Sequence, residues 1–314
     1  MAERKQKRIL LTVAYDGTGY SGFQAQKSGV PTISSVLAEA VRDLTGEETE
    51  IGGASRTDAG VHALCNLAVF DTYSRIPAEK FPRALNVRLP EQIRIVDACL
   101  VPDDFHPRFC ETVKTYEYRI YNAPYPSPVR RHDTYYSYTP FDVARMKRAA
   151  EHLQGEHDFK SFCSAHAQVS STVREITEIT VEESACEQES GALRVLDGVR
   201  HLCDGAGAVN MVSGTDSPLH EKHGDVSARE SSAPLTPRLI VIRVSGKGFL
   251  YNMVRIIAGT LMEAGRGMIE PEDIPRILQM RDRSAAGPTA PPEGLTLTAY
   301  EIAAASIATS AAKT

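Results

Sequence analysis

The chain has 314 residues, enough for a sizeable core, and its 42% hydrophobic and 24% charged content is that of a folded globular protein, not a disordered one. No apolar run reaches the roughly 20 residues of a membrane helix, and the start, MAERKQKRILLTVAYDGTG, has no small-residue cleavage site, so a cytoplasmic protein is expected. Net charge is −5, but residues 182–236 alone carry −6, so the remainder at +1 can still hold a basic groove for a polyanion.

RILLTVAYDG (8–17) alternates and ends in Asp-Gly, which predicts a strand entering a turn. Ile33, Val36, Leu37, Ala40, Val41 and Leu44 recur at helical spacing, with Thr32 as N-cap and Gly46 as the stop. VHALCNLAVFD (61–71) is apolar at both alternating sets of positions and reads as a central strand. A short helix near 77–88 and strands at 92–100 and 115–122 follow. Next come a helix over 140–154 and a strand over 172–183. LIVIRVSG (239–246) is a strand that enters a long helix, FLYNMVRIIAGTLMEAG (249–265). A helix near 271–280 and a strand near 295–303 complete the chain. This order predicts an α+β fold, with helices packed on a largely antiparallel mixed sheet. Strand–turn–helix units recur early and late, which points to two related halves, 1–110 and 111–314. Residues 184–237 show no sustained period and are too long for an ordinary connection, so they read as an acidic insertion between two paired strands.

Six cysteines, at 65, 99, 110, 163, 186 and 203, form no CxxC pair and are expected to be reduced. His62 and Cys65 make an H-x-x-C, but no second ligand pair follows to complete a zinc site.

Three stretches hold residues suited to chemistry. In GGASRTDAG (52–60), small residues surround Arg56 and Asp58. A guanidinium near a carboxylate lowers its pKa and keeps it ionised, and an ionised, fixed aspartate can act as a nucleophile. The same residues also fit a plain Asx-turn with a local ion pair. In TYEYRI, Tyr116, Tyr118 and Ile120 share one strand face; Tyr116 can stack on a base or serve as an acid or base, and it can equally be core. On the 249–265 helix, Arg255 lies opposite the apolar stripe of Phe249, Met253, Ile256, Ile257 and Leu261, with Gly248 and Gly259 beside it. That leaves room for a phosphate or carboxylate, or simply places an arginine in solvent. Lys5, Lys7, Arg8, Arg130, Arg131, Arg145, Lys147 and Arg148 are further candidates for contact with an RNA backbone.

Taken together, the ordered blocks VAYDGTGYSGFQAQ, GGASRTDAGVHALCNLAVF, VPDDFHPRF, KTYEYRIYN, HLQGEHDFKSF, GFLYNMVRIIAGTLMEAGRG and AGPTAPPEGLTL resemble the tRNA pseudouridine synthase A (TruA) family from about Arg8 to Ile302. RTDAGVHA is the most specific of them. Phe23 stands where the family usually has Trp, and the acidic segment is longer than the family's usual hairpin connection. The resemblance implies the pseudouridine synthase fold and conversion of uridine to pseudouridine at tRNA positions 38, 39 and 40. It implies Asp58 as the catalytic aspartate, Arg56 as its pairing arginine that helps open the RNA stack, Tyr116 as the active-site tyrosine and Arg255 as the salt-bridging arginine. It also implies a homodimer that needs no cofactor or metal. Two other readings make distinct demands: a glycoside hydrolase needs a second carboxylate roughly 5–9.5 Å from Asp58, and a non-catalytic RNA-binding module needs no Asp58 at all.

Overall fold

In the computed structural model, described here for residues 5–164, 169–186 and 236–302, ten strands form one sheet. The N-terminal half contributes β1 (Lys7–Tyr15), β2 (Gly52–Gly53), β3 (His62–Thr72) and β4 (Ile93–Val101). The C-terminal half contributes β5 (Thr112–Asn122), β6 (Tyr135–Ser137), β7 (Gly155–Asp158), β8 (Val173–Ala185), β9 (Arg238–Gly246) and β10 (Leu295–Ile302). The order is β4-β1-β3-β10-β5-β9-β8-β7, with β2 paired to β3 and β6 to β5.

The expected halves are visible in that order. In β4-β1-β3 the last strand of its half lies first, then the first, then the middle one; β10-β5-β9 repeats the pattern. Within each trio the strands are antiparallel, and the trios join through the parallel pair β3–β10, in register at Thr296 with His62 and Leu297 with Ala63. β3 is therefore central, as its two-sided apolarity predicts, and its pattern of buried residues is nearly continuous.

Among the described residues, five α-helices pack on the sheet: α1 (Ile33–Thr45), α2 (Phe81–Asn86), α3 (Val143–Glu151), α4 (Met253–Gly265) and α5 (Ile274–Met280). Helix α1 starts where Thr32 accepts the Ser35 amide and stops at Gly46, whose φ of 74° is left-handed and cheap only for glycine. Strand residues Ile9, Leu11, Val13, Tyr118, Ile120, Ile240 and Ile242 meet helix residues Leu37, Leu85, Met146, Ile256 and Leu261 in one continuous core.

Helix α4 departs from expectation twice. It begins at Met253, four residues later than its periodicity suggests, because Asn252 adopts a left-handed φ of 60° and breaks the backbone there. Nor is it amphipathic in place: Val254, Ala258, Gly259, Thr260 and Met262 are buried along with the apolar stripe. The segment 285–291 covers the side that the periodicity assigned to solvent, and a Cβ built on Gly259 would lie 1.8 Å from the Pro288 carbonyl oxygen. Gly259 thus makes room for this segment, not for an anion. The short strands β6 and β7 were also missed, being too brief to show a period.

Strands β8 and β9 are antiparallel partners up to Ala185 and Arg238, so the acidic segment does connect two paired strands. Residues 187–235 within it, and Cys203, lie outside the described residues. The other five cysteines are free thiols.

Candidate active site

The loop before β3 is held from beneath by buried polar groups. Asn66, at 0% exposure, donates to the Ser55 carbonyl oxygen at 2.9 Å and to the Tyr15 hydroxyl at 3.0 Å, and it accepts the Ser55 amide at 3.2 Å. Tyr15 and Thr57 share a hydrogen bond between hydroxyls at 2.8 Å. From above, the turn after β1 closes on the loop: the Phe23 amide donates to the Thr57 carbonyl oxygen and the Gly60 amide to that of Tyr20. Gly22, at φ 87°, approaches so closely that a Cβ would lie 2.7 Å from the Thr57 carbonyl oxygen. Thr57 is thereby buried, and its neighbours Arg56 and Asp58 are left facing outward.

Phe23 fills the space under the loop: it is 1% exposed, its ring centroid lies 6.2 Å from that of Tyr15, and a Cβ on Gly53 would sit 2.1 Å from it. The small residues of GGASRTDAG therefore serve aromatic packing as well as access. Aromatic character at position 23 is sufficient for this role.

Asp58 opens into a cleft of about 810 Å³ at the seam of the two halves, also lined by Arg56, Tyr116 and Arg255. The four residues expected to converge do share one cleft, but only Arg255 pairs with the carboxylate, through Nη1 to Oδ2 at 3.5 Å. Arg56 is exposed and has no ion pair with Asp58, because the two flank Thr57 and diverge. Partial desolvation and then the charge of Arg108 push the Arg56 pKa down. The expected lowering of the Asp58 pKa is reversed as well. Burial outweighs Arg255 and holds the carboxyl above its ordinary value.

Arg255 is fixed on three sides. Its Nε donates to the Ala290 carbonyl oxygen at 2.7 Å, and its Nη1 donates to Asn252 Oδ1 at 3.0 Å. The Ala290 amide in turn donates to the Arg255 carbonyl oxygen. Asn252 is anchored by its own amide donating to Ser164 Oγ at 2.9 Å. The left-handed residue that delays the helix is thus the residue that aims Arg255, the kind of local strain that collects at functional sites. Tyr116 comes from β5, 9% exposed, with the Phe249 ring edge-on at 5.3 Å. Burial, then Tyr15 and the nearby Asp58, push its phenol well above the ordinary range, so it is a neutral hydroxyl at physiological pH.

Residues missed by sequence reasoning give the cleft its charge. Arg108, Lys114, Arg174 and Lys247 join Arg56 and Arg255 on its walls, and Asp58 is the one carboxylate among the described lining residues. Lys114 alternates with Tyr116 on the same strand face, which was a readable signal. Most cations proposed earlier have other duties: Arg8 pairs with Asp71, Arg145 with Glu270 and Arg148 with Glu272. Arg131 caps the Pro128 carbonyl oxygen, and Arg130 lies over the Tyr121 ring.

Among the described residues, the cleft holds no second carboxylate of the kind a glycoside hydrolase needs. His62 is occupied by the Gly17 amide and the Glu293 carbonyl oxygen, and among the described residues no group of three or more His, Cys, Asp or Glu is placed to hold a metal ion. No described helix is long and apolar enough to cross a membrane.

The family model described as tRNA pseudouridine synthase matches residues 11–110 and 149–301. The chain is 40% identical to tRNA pseudouridine synthase A of Caldicellulosiruptor bescii over 293 residues, spanning 93% of this chain and 98% of that protein. It is 38% identical to the protein of that name from Acetivibrio thermocellus and 37% identical to that of Moorella thermoacetica, again over 93% of this chain and 98% of each relative. With a doubled antiparallel sheet, a basic cleft at its seam and these relatives along nearly its whole length, the chain belongs to the tRNA pseudouridine synthase family of isomerases.

Proposed function

We propose that this protein isomerises uridine to pseudouridine in the anticodon stem-loop of tRNA, at positions 38, 39 and 40, with Asp58 as the catalytic nucleophile. The observation that carries this reading is one carboxylate, partly desolvated and paired with one fixed arginine, in a cleft whose other charged lining residues, among those described, are all cations. The cations suit an RNA backbone, and the carboxylate suits chemistry at the nucleoside. The reaction breaks the bond from uracil N1 to ribose C1′ and makes one from C5 to C1′. The C5 proton is lost and a proton is gained at N1, so the composition is unchanged.

A stacked base must first leave its helix. Arg56, planar, exposed and not paired with Asp58, fills the vacated space. Tyr116, which lines the cleft, offers the base a stacking surface and a hydroxyl for proton transfer. Arg255 holds the Asp58 carboxylate in place. The chemistry asks for no cofactor or metal. We extend the proposal to a homodimer located in the cytoplasm, which light scattering and fractionation can check.

The test is tritium release from tRNA labelled at uracil C5. The wild-type protein is expected to release tritium in step with pseudouridine formation, and Asp58→Asn to release none. An active Asp58→Asn protein overturns the role of Asp58. RNA binding that survives this substitution, with no product from the wild type either, favours a non-catalytic binding module.

A further inference from the structure

The active cleft does not end at Arg56. A second cleft, of about 630 Å³, adjoins it, and Arg56 and Arg108 line both. One wall is the turn between β4 and β5. There His106 Nδ1 accepts the Arg108 amide at 3.2 Å, and the Phe109 amide donates to the His106 carbonyl oxygen at 3.1 Å. This turn sets the Phe109 ring 5.0 Å from the imidazole, tilted by 49°. Partial burial, then Arg8 and Arg108, push the His106 pKa down, so the imidazole is neutral at pH 7. The floor is bare backbone, because a Cβ on Gly52 would lie 3.0 Å from His106 Nε2.

Phe109 is 84% exposed, which contributes nothing to folding. Beside it stand two guanidiniums that, among the described residues, have no ion pair. Arg108 raises the cost of charging Arg56, which an anion bound between them would relieve. A bare aromatic face next to unpaired cations is what a stacked base and its phosphate require. The lining also includes Glu48, paired with Arg42 at 3.7 Å, and Glu50, whose charge disfavours a second phosphate there. A strand passing from one cleft to the other must cross Arg108.

We propose that this second cleft is a subsite for one unpaired RNA nucleotide next to the reacting uridine, its base stacked on Phe109 and its linking phosphate held by Arg108. The proposal rests on the reading of the first cleft as an RNA-modifying site. It extends recognition to a neighbour of the target and assigns the FHPRF turn a role in positioning.

The experiment measures tritium release and equilibrium RNA binding for wild type, Phe109→Ala, Phe109→Tyr and Arg108→Ala, on tRNA and on anticodon stem-loops with one abasic site at each position in turn. Phe109→Ala is expected to raise KM on the order of tenfold, the scale of one lost stack, with the change falling chiefly on KM. Phe109→Tyr should restore it. Arg108→Ala should reduce the salt slope of binding by about one. At one abasic position next to the target, Phe109→Ala should have no further effect, which identifies the nucleotide.

Normal catalysis with an unchanged KM in Phe109→Ala overturns the subsite and leaves the isomerase reading intact. A Phe109 effect that adds to every abasic site also overturns it, and points to a protein contact or a structural role. RNA binding that depends on Phe109, without tritium release from wild type, keeps the subsite and removes the isomerase reading. Neither activity nor Phe109-dependent binding overturns both.

Discussion

Two carboxylates stand on either side of the same sheet region, and they end in opposite electrostatic states. Glu117 on β5 receives Arg119 and Arg243, each at 2.9 Å. Burial pushes its pKa up, but the two arginines win and hold it below the ordinary value. Asp58 receives one arginine at 3.5 Å, burial wins, and its pKa rises. Their side chains are similarly exposed, at 13% and 17%, but Asp58 is the more strongly desolvated and its arginine is single and more distant, so burial and pairing push the two groups apart together. One site is closed electrostatically and serves the fold. The other is left incompletely paired, as the proposed role of its carboxylate in reaction requires.

β5 shows the same division within a single strand. Glu117 and Arg119 point to the closed network, while Lys114 and Tyr116 point into the cleft. Among the described residues Lys114 has no carboxylate partner; its ammonium lies 5.2 Å from the Tyr300 ring centroid. Burial, then Arg108, push its pKa down to about 8. An incompletely satisfied cation on a strand whose opposite face is fully paired marks the side where a ligand belongs.

Removing the single partner of Asp58 should have the largest effect. Arg255→Gln is expected to cut kcat on the order of a hundredfold, the scale of losing one charged group that orients a reacting centre. It also removes the only interaction that lowers the Asp58 pKa. On the proposed reading Asp58 reacts as the ionised carboxylate, so activity should fall as pH drops through that pKa, and the acidic limb of the kcat/KM profile should move to higher pH in the variant. An unmoved limb would mean that Arg255 does not govern this carboxylate.

Lys114→Met should separate stability from binding. The charged form of Lys114 is disfavoured in the folded protein, so below about pH 8 the native state carries a penalty that the unfolded chain does not. Wild-type stability should therefore rise with pH between about 8 and the ordinary lysine value of 10.5. Lys114→Met should be more stable at pH 7 by about 1–2 kcal/mol, after allowing for the lost ring contact, while its KM for tRNA increases. Thermal melts at pH 7 and pH 10 check the sign.

Glu117→Gln addresses the closed site. It should lower stability by about 1 kcal/mol, the scale of a partly exposed ion-pair network, and leave kcat/KM within about twofold, well below the effect of altering one transition-state contact. A large loss of activity there would erase the contrast between the two faces. The smallest effect is expected from deleting residues 186–236. Paired ends at Ala185 and Arg238 can be closed by a short turn, and they lie at the end of β9 opposite to the Gly248–Arg255 wall of the cleft. Soluble, active protein is expected; aggregation or lost activity would give the insert a role.

Sequence reading recovered much of the frame because local signals were complete. Thr32 and Gly46 bracket α1, and the two-sided apolarity of β3 places it centrally. It failed where one segment decides the environment of another. Helical periodicity cannot anticipate that residues 285–291 lie over α4, or that Asn252 turns left-handed before it. The four site residues were brought together by the ordered resemblance, since Arg56–Asp58 proximity in sequence suggested a pair that the buried Thr57 prevents. The direction of the Asp58 pKa depends on desolvation, which adjacent residues alone do not disclose.

The close approach of Gly259 to Pro288 has a consequence for heredity. The helix that bears Arg255 and the segment that supplies Ala290 are registered against each other at a point with no room for a methyl group. A genetic screen should therefore score lesions at residue 259 as catalytic, although that residue lines neither cleft. Their intragenic suppressors should map to 286–290, where the backbone can retreat, and not to the loop that carries Asp58.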